Sequence, residues 1–306
     1  MNILSINNLN KSFGDKKVID NMTLNVPEGC IYGFLGANGA GKTTTMKMIL
    51  GLIKKDSGEI KICGETVSFG QNKTNQYVGY LPDVPAFYKY MRPMEYLKLC
   101  GELTSLDSKT IKERSEELLS LVGLGKEDKK IGSFSRGMKQ RLGIAQALIN
   151  QPKLLICDEP TSALDPIGRK EILDILVSVK GKTTIVFSTH ILSDVEKICD
   201  HVSVLNNGKI VLDGTLADLK KQNGRHDVLE ISFISQGDMI SFFNNKRILS
   251  IQNQITSKDN TLVITSNKLN EIQKTIYDVF ISTGIFPTKI EVLEPTMESL
   301  FMEVVK

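Results

Sequence analysis

No stretch of this 306-residue chain holds the roughly 20 consecutive apolar side chains that a membrane-spanning helix needs. The longest apolar runs, KLLIC at 153–157 and TTIVF at 183–187, have strand length and are closed within a few residues by charge or turn residues. The N-terminus, MNILSINNLNKSFGDKK, lacks a basic start leading into an unbroken apolar block, so it does not read as a signal peptide and the chain is expected to stay in the cytoplasm. Cysteine is scarce. Cys30, Cys63, Cys100, Cys157 and Cys199 are odd in number and scattered, with no CxxC pair, which argues against a disulfide framework or a cysteine metal site and for reduced, buried thiols. An excess of one charge is also missing: 38 Lys and Arg face 35 Asp and Glu, too even a balance for the basic stripe of a general nucleic-acid binder. Nucleic acid is therefore not an expected partner.

What is present is the mixture of a folding chain, 41% hydrophobic and 24% charged, far from the signature of disorder. Its 306 residues are about twice the ~150 of a typical domain, so two domains are expected. From Met1 to about residue 65, the runs ILSI, KKVID and TLNV alternate with turn signals and lead into CIYGFLG and a glycine loop. After the loop, TTTMKMILGLI has helical length and spacing, with Gly51 near its end. A buried strand, a tight glycine turn and a helix in that order open an α/β nucleotide-binding fold. Between about 88 and 150 the pattern turns helical: Ile111, Ser115, Leu118, Leu119 and Val122 share one face, charged residues the other, and Ser108 is placed to cap. Strands and helices alternate again from 153 to 215, with helices over 167–179 and from about Ser193, and with NNG signalling a hairpin.

The polar run KKQNGRHD at 220–227 reads as a linker. Beyond it, strands near VLEISFI, ILSIQNQI, NTLVITS and TKIEVLE and helices near DMISFFNN and over 269–282 follow the β-α-β-β-α-β order of a small ferredoxin-like domain. ESLFMEVV predicts a last helix.

Chemistry concentrates in the first domain. GANGAGKT at 36–43 satisfies G-x-x-x-x-G-K-[ST] between an apolar strand and a helix, the context that confirms a phosphate-binding loop. Gly36, Gly39 and Gly41 let backbone N–H groups approach polyphosphate, with Ala37, Asn38 and Ala40 between them. Lys42 then neutralises the β- and γ-phosphates, Thr43 offers a hydroxyl to Mg2+, and Thr44 continues the helix whose N-terminal dipole faces the anion. KLLICDEP at 153–160 ends a buried strand in two acids, at the carboxyl edge where the phosphate loop of a parallel sheet also lies. Such a pair alone is commonly a solvated edge. Beside a phosphate loop, Asp158 becomes a Mg2+ ligand and Glu159 the base or water-orienting group facing the γ-phosphate.

FSRGMKQRL at 134–142 resembles the signature motif of ABC-type ATPases, and other segments then match that family in order. SALD at 162–165 resembles its D-loop, STH ending in His190 its switch histidine, and GYLPD at 79–83 its Q-loop, while Phe13 suits the aromatic that stacks on adenine. The resemblance implies an α/β P-loop NTPase core of ABC ATPase type at 1–220, within which the helical pattern at about 88–150 is an insertion; the order of elements beyond it makes 221–306 a C-terminal α+β, ferredoxin-like domain. It implies that two copies dimerise head to tail, with each ATP between the phosphate loop of one and the signature of the other. Ser135 and Gly137 would then address the partner's γ-phosphate, Asp165 would fix the dimer seam, and His190 would orient the attacking water. Two residues depart from the pattern. Asp83 stands where many members carry glutamine and can still offer a hard oxygen to Mg2+; Met138 replaces another glutamine and is assigned no role.

The same engine drives transporters, chromosome machines and translation factors, so architecture must discriminate. No long coiled coil separates Lys42 from Asp158, and only one ATPase half is present. A transport ATPase with a separately encoded permease is the favoured reading, peripheral on the inner face of the cell membrane; a soluble regulatory or repair ATPase without a permease is the alternative. SFSRGMKQRLGIAQAL, HILSDVEKICDHVSVLNNGKIVLDG and EPTMESLFMEVV are similar to ATPase subunits of bacterial bacitracin and lantibiotic exporters, which favours export of a drug or antimicrobial peptide. In that family the permease docks beside the Q-loop, so the segment at 82–97, whose aromatics Phe87, Tyr88 and Tyr90 read as exposed, is the candidate docking groove; simple packing of the insertion against the core is the alternative. The C-terminal domain fits a regulatory, stabilising or dimer-buttressing role equally.

Overall fold

The β-branched runs at the start form two long antiparallel strands, β1 (Asn2–Phe13) and β2 (Lys16–Pro27), in a computed structural model that describes residues 1–70, 73–222, 227–266, 268–293, 298 and 301. KKVID and TLNV, expected as separate strands, both lie in β2, whose pairing with β1 is carried past the intervening residues by several register shifts. There follow β3 (Ile31–Leu35), α1 (Lys42–Ile49), β4 (Ser57–Ile62), β5 (Glu65–Thr66) and β6 (Val78–Leu81). The helical insertion is α2 (Pro93–Leu103), α3 (Ser108–Leu121) and α4 (Arg136–Leu148). The chain then returns to alternation with β7 (Leu154–Asp158), α5 (Pro166–Val179), β8 (Thr184–Thr189), α6 (Leu192–Ile198), β9 (His201–Asn206), β10 (Lys209–Thr215) and α7 (Leu216–Gln222).

Two sheets result. The antiparallel one has the order β2-β1-β4-β5; the larger has the order β10-β9-β3-β8-β7-β6, parallel except for the β9–β10 hairpin. Every residue of β3, β7 and β8 is buried, as unbroken apolar runs in a parallel sheet covered on both faces require. The hairpin turns at Asn207 and Gly208, both with positive φ, the conformation that the NNG sequence supplies. On α3 the residues Ile111, Ser115, Leu118 and Leu119 are buried as their spacing predicts, but the cap is Asp107 rather than Ser108. A carboxylate one residue upstream accepts the N–H groups of Lys109 and Thr110, both at 3.0 Å, and a capping side chain must precede the first helical turn to do so. All five cysteines are free thiols, but only Cys30, Cys157 and Cys199 are buried as expected; Cys63 and Cys100 are partly exposed. Among the described residues, no helix is long and apolar enough to cross a membrane.

The chain divides into two compact units, Met1–Leu216 and Ala217–Lys306. The second contains α7 from Ala217 onward, β11 (Asp227–Ser232), α8 (Gln236–Phe243), α9 (Lys246–Leu249), β12 (Ile255–Lys258), β13 (Thr261–Ser266), α10 (Leu269–Thr283) and β14 (Lys289–Leu293). Its sheet order, β12-β13-β11-β14 with all neighbours antiparallel, is that of a ferredoxin-like fold. One expectation fails here: ILSIQNQI is mostly helical turns, and the strand starts only at Ile255. Asn245 caps the short α9 by accepting the Arg247 N–H at 3.0 Å, and this local bond settles a run whose periodicity fits either state. The last expected helix, apart from Glu298 and Phe301, and the centre of the expected linker at 223–226 lie outside the described residues.

Phe233, Phe242 and Phe280 form the aromatic centre of this second core, with ring centroids 4.7 to 6.3 Å apart. Phe242 is fully buried. Phe242→Ala is expected to destabilise the C-terminal unit by about 3–5 kcal/mol through lost transfer energy and a residual cavity. Urea denaturation reads this loss.

Candidate functional site

The parallel order of the large sheet assembles the site. Neighbouring strands β3, β8, β7 and β6 all end on one edge, so their C-terminal loops lie side by side. β3 delivers the glycine loop, β8 delivers His190, β7 delivers Asp158 and Glu159, and β6 delivers Asp83. The resulting cleft has a volume of about 400 Å3 and is lined by Asn38, Gly39, Gly41, Lys42, Thr43 and Thr44 of the loop, by Asp83, Glu159 and His190, and by Val18 and Ser162.

At the loop, Gly41 has φ 112° and immediately precedes α1, and a Cβ there would lie 2.6 Å from Ile19 Cδ1. Only glycine meets both constraints. Lys42 is buried, and its ammonium donates to the carbonyls of Gly36 at 2.7 Å and Ala37 at 3.3 Å while pairing with Glu159 Oε1 at 3.1 Å. The other carboxylate oxygen of Glu159 lies 2.8 Å from His190 Nδ1. An ionised carboxylate only accepts, so that ring nitrogen donates. Glu159 thus sits between two donors, in a left-handed backbone conformation with φ 49°. Its N–H is held by the carbonyl and hydroxyl of Ser188, both at 3.1 Å, and the same hydroxyl donates to Asp158 Oδ1 at 2.7 Å. Ser188 is opposite Asp158 in the parallel register and orients both acids.

Asp83 also lines the cleft. Its Oδ1 is buried without a hydrogen-bond partner, 3.6 Å from the Arg136 guanidinium, and its carbonyl accepts from Gln140 at 2.9 Å. Burial pushes its carboxyl above the usual value, Asp158 and Glu159 push the same way, and Arg136 opposes them. Hard oxygens from Thr43, Asp158 and Asp83 suit Mg2+, which takes few protein ligands and keeps phosphate oxygens and waters. Among the described residues there is no cluster of three or more His, Cys, Asp or Glu that could hold a metal ion.

Phe13 stands apart. It ends β1 half-exposed, with Lys11 Nζ 4.9 Å from its ring centroid, and it does not line the phosphate cleft. Ser135, Gly137 and Asp165 come together in a second cleft of about 310 Å3 that shares no lining residue with the first. Ser135 caps α4 by accepting the Met138 N–H at 3.2 Å, and Asp165 caps α5 by accepting the Gly168 N–H at 2.7 Å. A Cβ on Gly137 would meet nothing within 4 Å, so the start of α4 is open to an approaching group. Of the three aromatics at 87–90, Tyr88 and Tyr90 are exposed, whereas Phe87 packs edge-on against Tyr96 at 5.0 Å. Sequence reasoning missed Val18, Ser162, Ser188 and Gln140. Only Ser162, next to the acid pair in SALD, carries a local signal.

A glycine loop opening a helix, a buried lysine within it and paired acids on the adjoining strand ends define a nucleoside-triphosphatase of the phosphate-loop class. The helical insertion, with its capped glycine-bearing helix, marks out one group within that class. A family model described as ABC transporter matches residues 19–162. The bacitracin transport ATP-binding protein BcrA of Bacillus licheniformis is 37% identical, with 99% of this chain and 97% of that protein aligned. The lantibiotic transport ATP-binding protein SrtF of Streptococcus pyogenes is 42% identical over 69% of this chain and 90% of its own length. Among solved structures, an ATP-binding subunit of an ABC transporter matches with a TM-score of 0.66 at 32% identity, covering 72% of this chain and 93% of that one. The chain belongs to the ABC transporter family as an ATP-binding, ATP-hydrolysing subunit.

Proposed function

We propose that this chain is the motor of an exporter: it binds Mg2+ and ATP, closes head to tail on a second copy, hydrolyses the nucleotide, and thereby drives a separately encoded permease at the inner face of the cell membrane. The observation that carries the reading is the pair of clefts on one ATPase unit. The phosphate loop, Glu159 and His190 line one, and Ser135, Gly137 and Asp165 line the other. Each is half of a site. Rotation of a second copy by a two-fold axis would set the first cleft of each copy against the second cleft of the other, completing two sites with one isologous interface.

In that arrangement Lys42 and the N–H groups at the start of α1 bind the β- and γ-phosphates. Lys42 exchanges its present bond to Glu159 for phosphate, which frees the carboxylate to accept a proton from water. His190, already 2.8 Å from Glu159, holds that water and the γ-phosphate in line. Thr43, Asp158 and Asp83 would hold Mg2+, which supplies charge neutralisation at the phosphates when bound. Ser135 and the Gly137 N–H, at the positive end of α4, stabilise negative charge on the partner's γ-phosphate. Phe13 provides the adenine platform from outside the phosphate cleft.

Export of an antimicrobial peptide, a drug or a similar amphipathic substrate is supported by the BcrA alignment, which extends through the C-terminal unit as well as the ATPase. The exposed rings of Tyr88 and Tyr90 support the 82–97 segment as the permease contact, and the C-terminal unit fits a buttress of the dimer. Purification of the tagged chain from detergent-solubilised membranes is expected to bring down a membrane-spanning partner, and the pair in vesicles should hydrolyse ATP faster when a peptide antibiotic is added. A chain that turns over ATP yet recovers no membrane partner would contradict the transport reading.

A further inference from the structure

Asp194 is a fully buried carboxylate in the first turn of α6, outside both clefts. Its Oδ2 accepts from Thr161 Oγ1 at 2.8 Å, and its Oδ1 accepts from the Arg169 guanidinium at 2.6 Å. The three residues come from three segments: α6 begins just after His190, Thr161 lies in the turn just after Glu159, and Arg169 sits in α5, which Asp165 caps.

We propose that Asp194 is a positioning residue for ATP hydrolysis, fixing the helix behind His190 to the turn behind Glu159. The inference rests on Glu159 and His190 acting together, as proposed above. A charge buried here is expensive unless paired, and an apolar side chain would pack without that penalty. What the carboxylate adds is direction: two charge-assisted bonds of defined geometry, where apolar packing would tolerate sliding. The contact between His190 and Glu159 is then supported on both flanks. On the strand side, the register of β7 with β8 and the Ser188 hydroxyl hold Glu159, and the Ile191 N–H bonds to Thr189 Oγ1 at 2.9 Å beside His190. On the helix side, the Asp194–Thr161 bond joins α6 to the turn after Glu159. Through Arg169 the same carboxylate reaches α5, so it also sets Asp165 in the signature cleft. One buried group therefore ties the hydrolytic pair of one site to the seam of the other.

A positioning role separates turnover from binding, because the phosphate loop does not touch Asp194. Asp194→Asn in the full-length chain, with turnover expressed per nucleotide-binding site so that unfolded protein does not register, is expected to lower kcat by about 10- to 100-fold, the scale of a small misplacement of reacting groups. ATP affinity by equilibrium titration should stay within about twofold, since the phosphate contacts are intact. If that variant does not fold, Thr161→Val removes one of the two bonds at nearly constant volume and should show the same split, whereas Thr161→Ser, which keeps the hydroxyl, should restore turnover. Unchanged kcat in the folded variants, equal losses of kcat and affinity, or full turnover by Thr161→Val overturns the proposal. Glu159→Gln, run in parallel, separates the two levels. Full turnover in that variant removes the reading of the site itself, whereas an inactive Glu159→Gln beside a fully active Asp194→Asn removes only the role of Asp194.

Discussion

Glu159→Gln is expected to keep ATP affinity within about twofold while losing roughly 10²- to 10⁴-fold in turnover, the range for removal of a positioned general base. Glutamine has nearly the same shape and can still contact His190, now 2.8 Å from the carboxylate, but it cannot take a proton from water. It also gives up the ion pair that holds Lys42 at 3.1 Å in the absence of nucleotide. Lys42 is then freer to meet phosphate, so nothing in the substitution weakens binding. Bound ATP that is not hydrolysed leaves the two copies joined, and light scattering should find a dimer with ATP and a monomer without it. Unimpaired turnover in this variant would remove Glu159 from the mechanism.

Lys42→Ala should do the reverse, losing binding first. Lys42 is 6% exposed and its ammonium is held by two loop carbonyls, so it is already aimed where phosphate oxygens arrive. A charge-assisted hydrogen bond contributes about 1.5–3 kcal/mol, which sets an expected loss of about 10- to 100-fold in ATP affinity. The alanine variant also leaves Glu159 Oε1, now paired with Lys42, buried without a cation. Lys42→Arg is expected to fail as well, because a planar guanidinium does not fit a loop that encloses a compact ammonium. Nucleotide titration checks both variants; wild-type affinity in either would contradict the assignment.

The loop and the acid pair are legible from sequence because their chemistry fixes residue types at short spacing. Gly41 must be glycine on two independent grounds, and Asp158 and Glu159 can appear only where a buried strand meets solvent. The register that unites them is not legible. Ser188 touches Asp158 and Glu159 across adjacent strands, and Asp194 touches Thr161 and Arg169 from another helix. An ordinary serine or aspartate in an alternating pattern announces neither contact. Where local signals compete, the sequence also misleads: Ser108 and Asp107 are both good caps, and ILSIQNQI has the apolar content of a strand but contains a capped helical turn. The aromatic run at 87–90 reads as uniformly exposed until Phe87 finds Tyr96. In the C-terminal unit the alternation of elements was sufficient to predict the fold, since antiparallel neighbours with short connections leave few topologies.

If one chain supplies only half of each ATPase site, as proposed, two inactive variants should complement each other when mixed. Lys42→Ala disables the phosphate cleft, and Ser135→Arg blocks the start of α4 in the other cleft. Each alone should be inactive. In a head-to-tail dimer of one variant with the other, one site carries both lesions and its companion carries none. An equal mixture should therefore recover up to about a quarter of wild-type ATPase activity, from random pairing into two-fold dimers. A mixture that stays as inactive as its components, with dimers shown to form, would contradict the account.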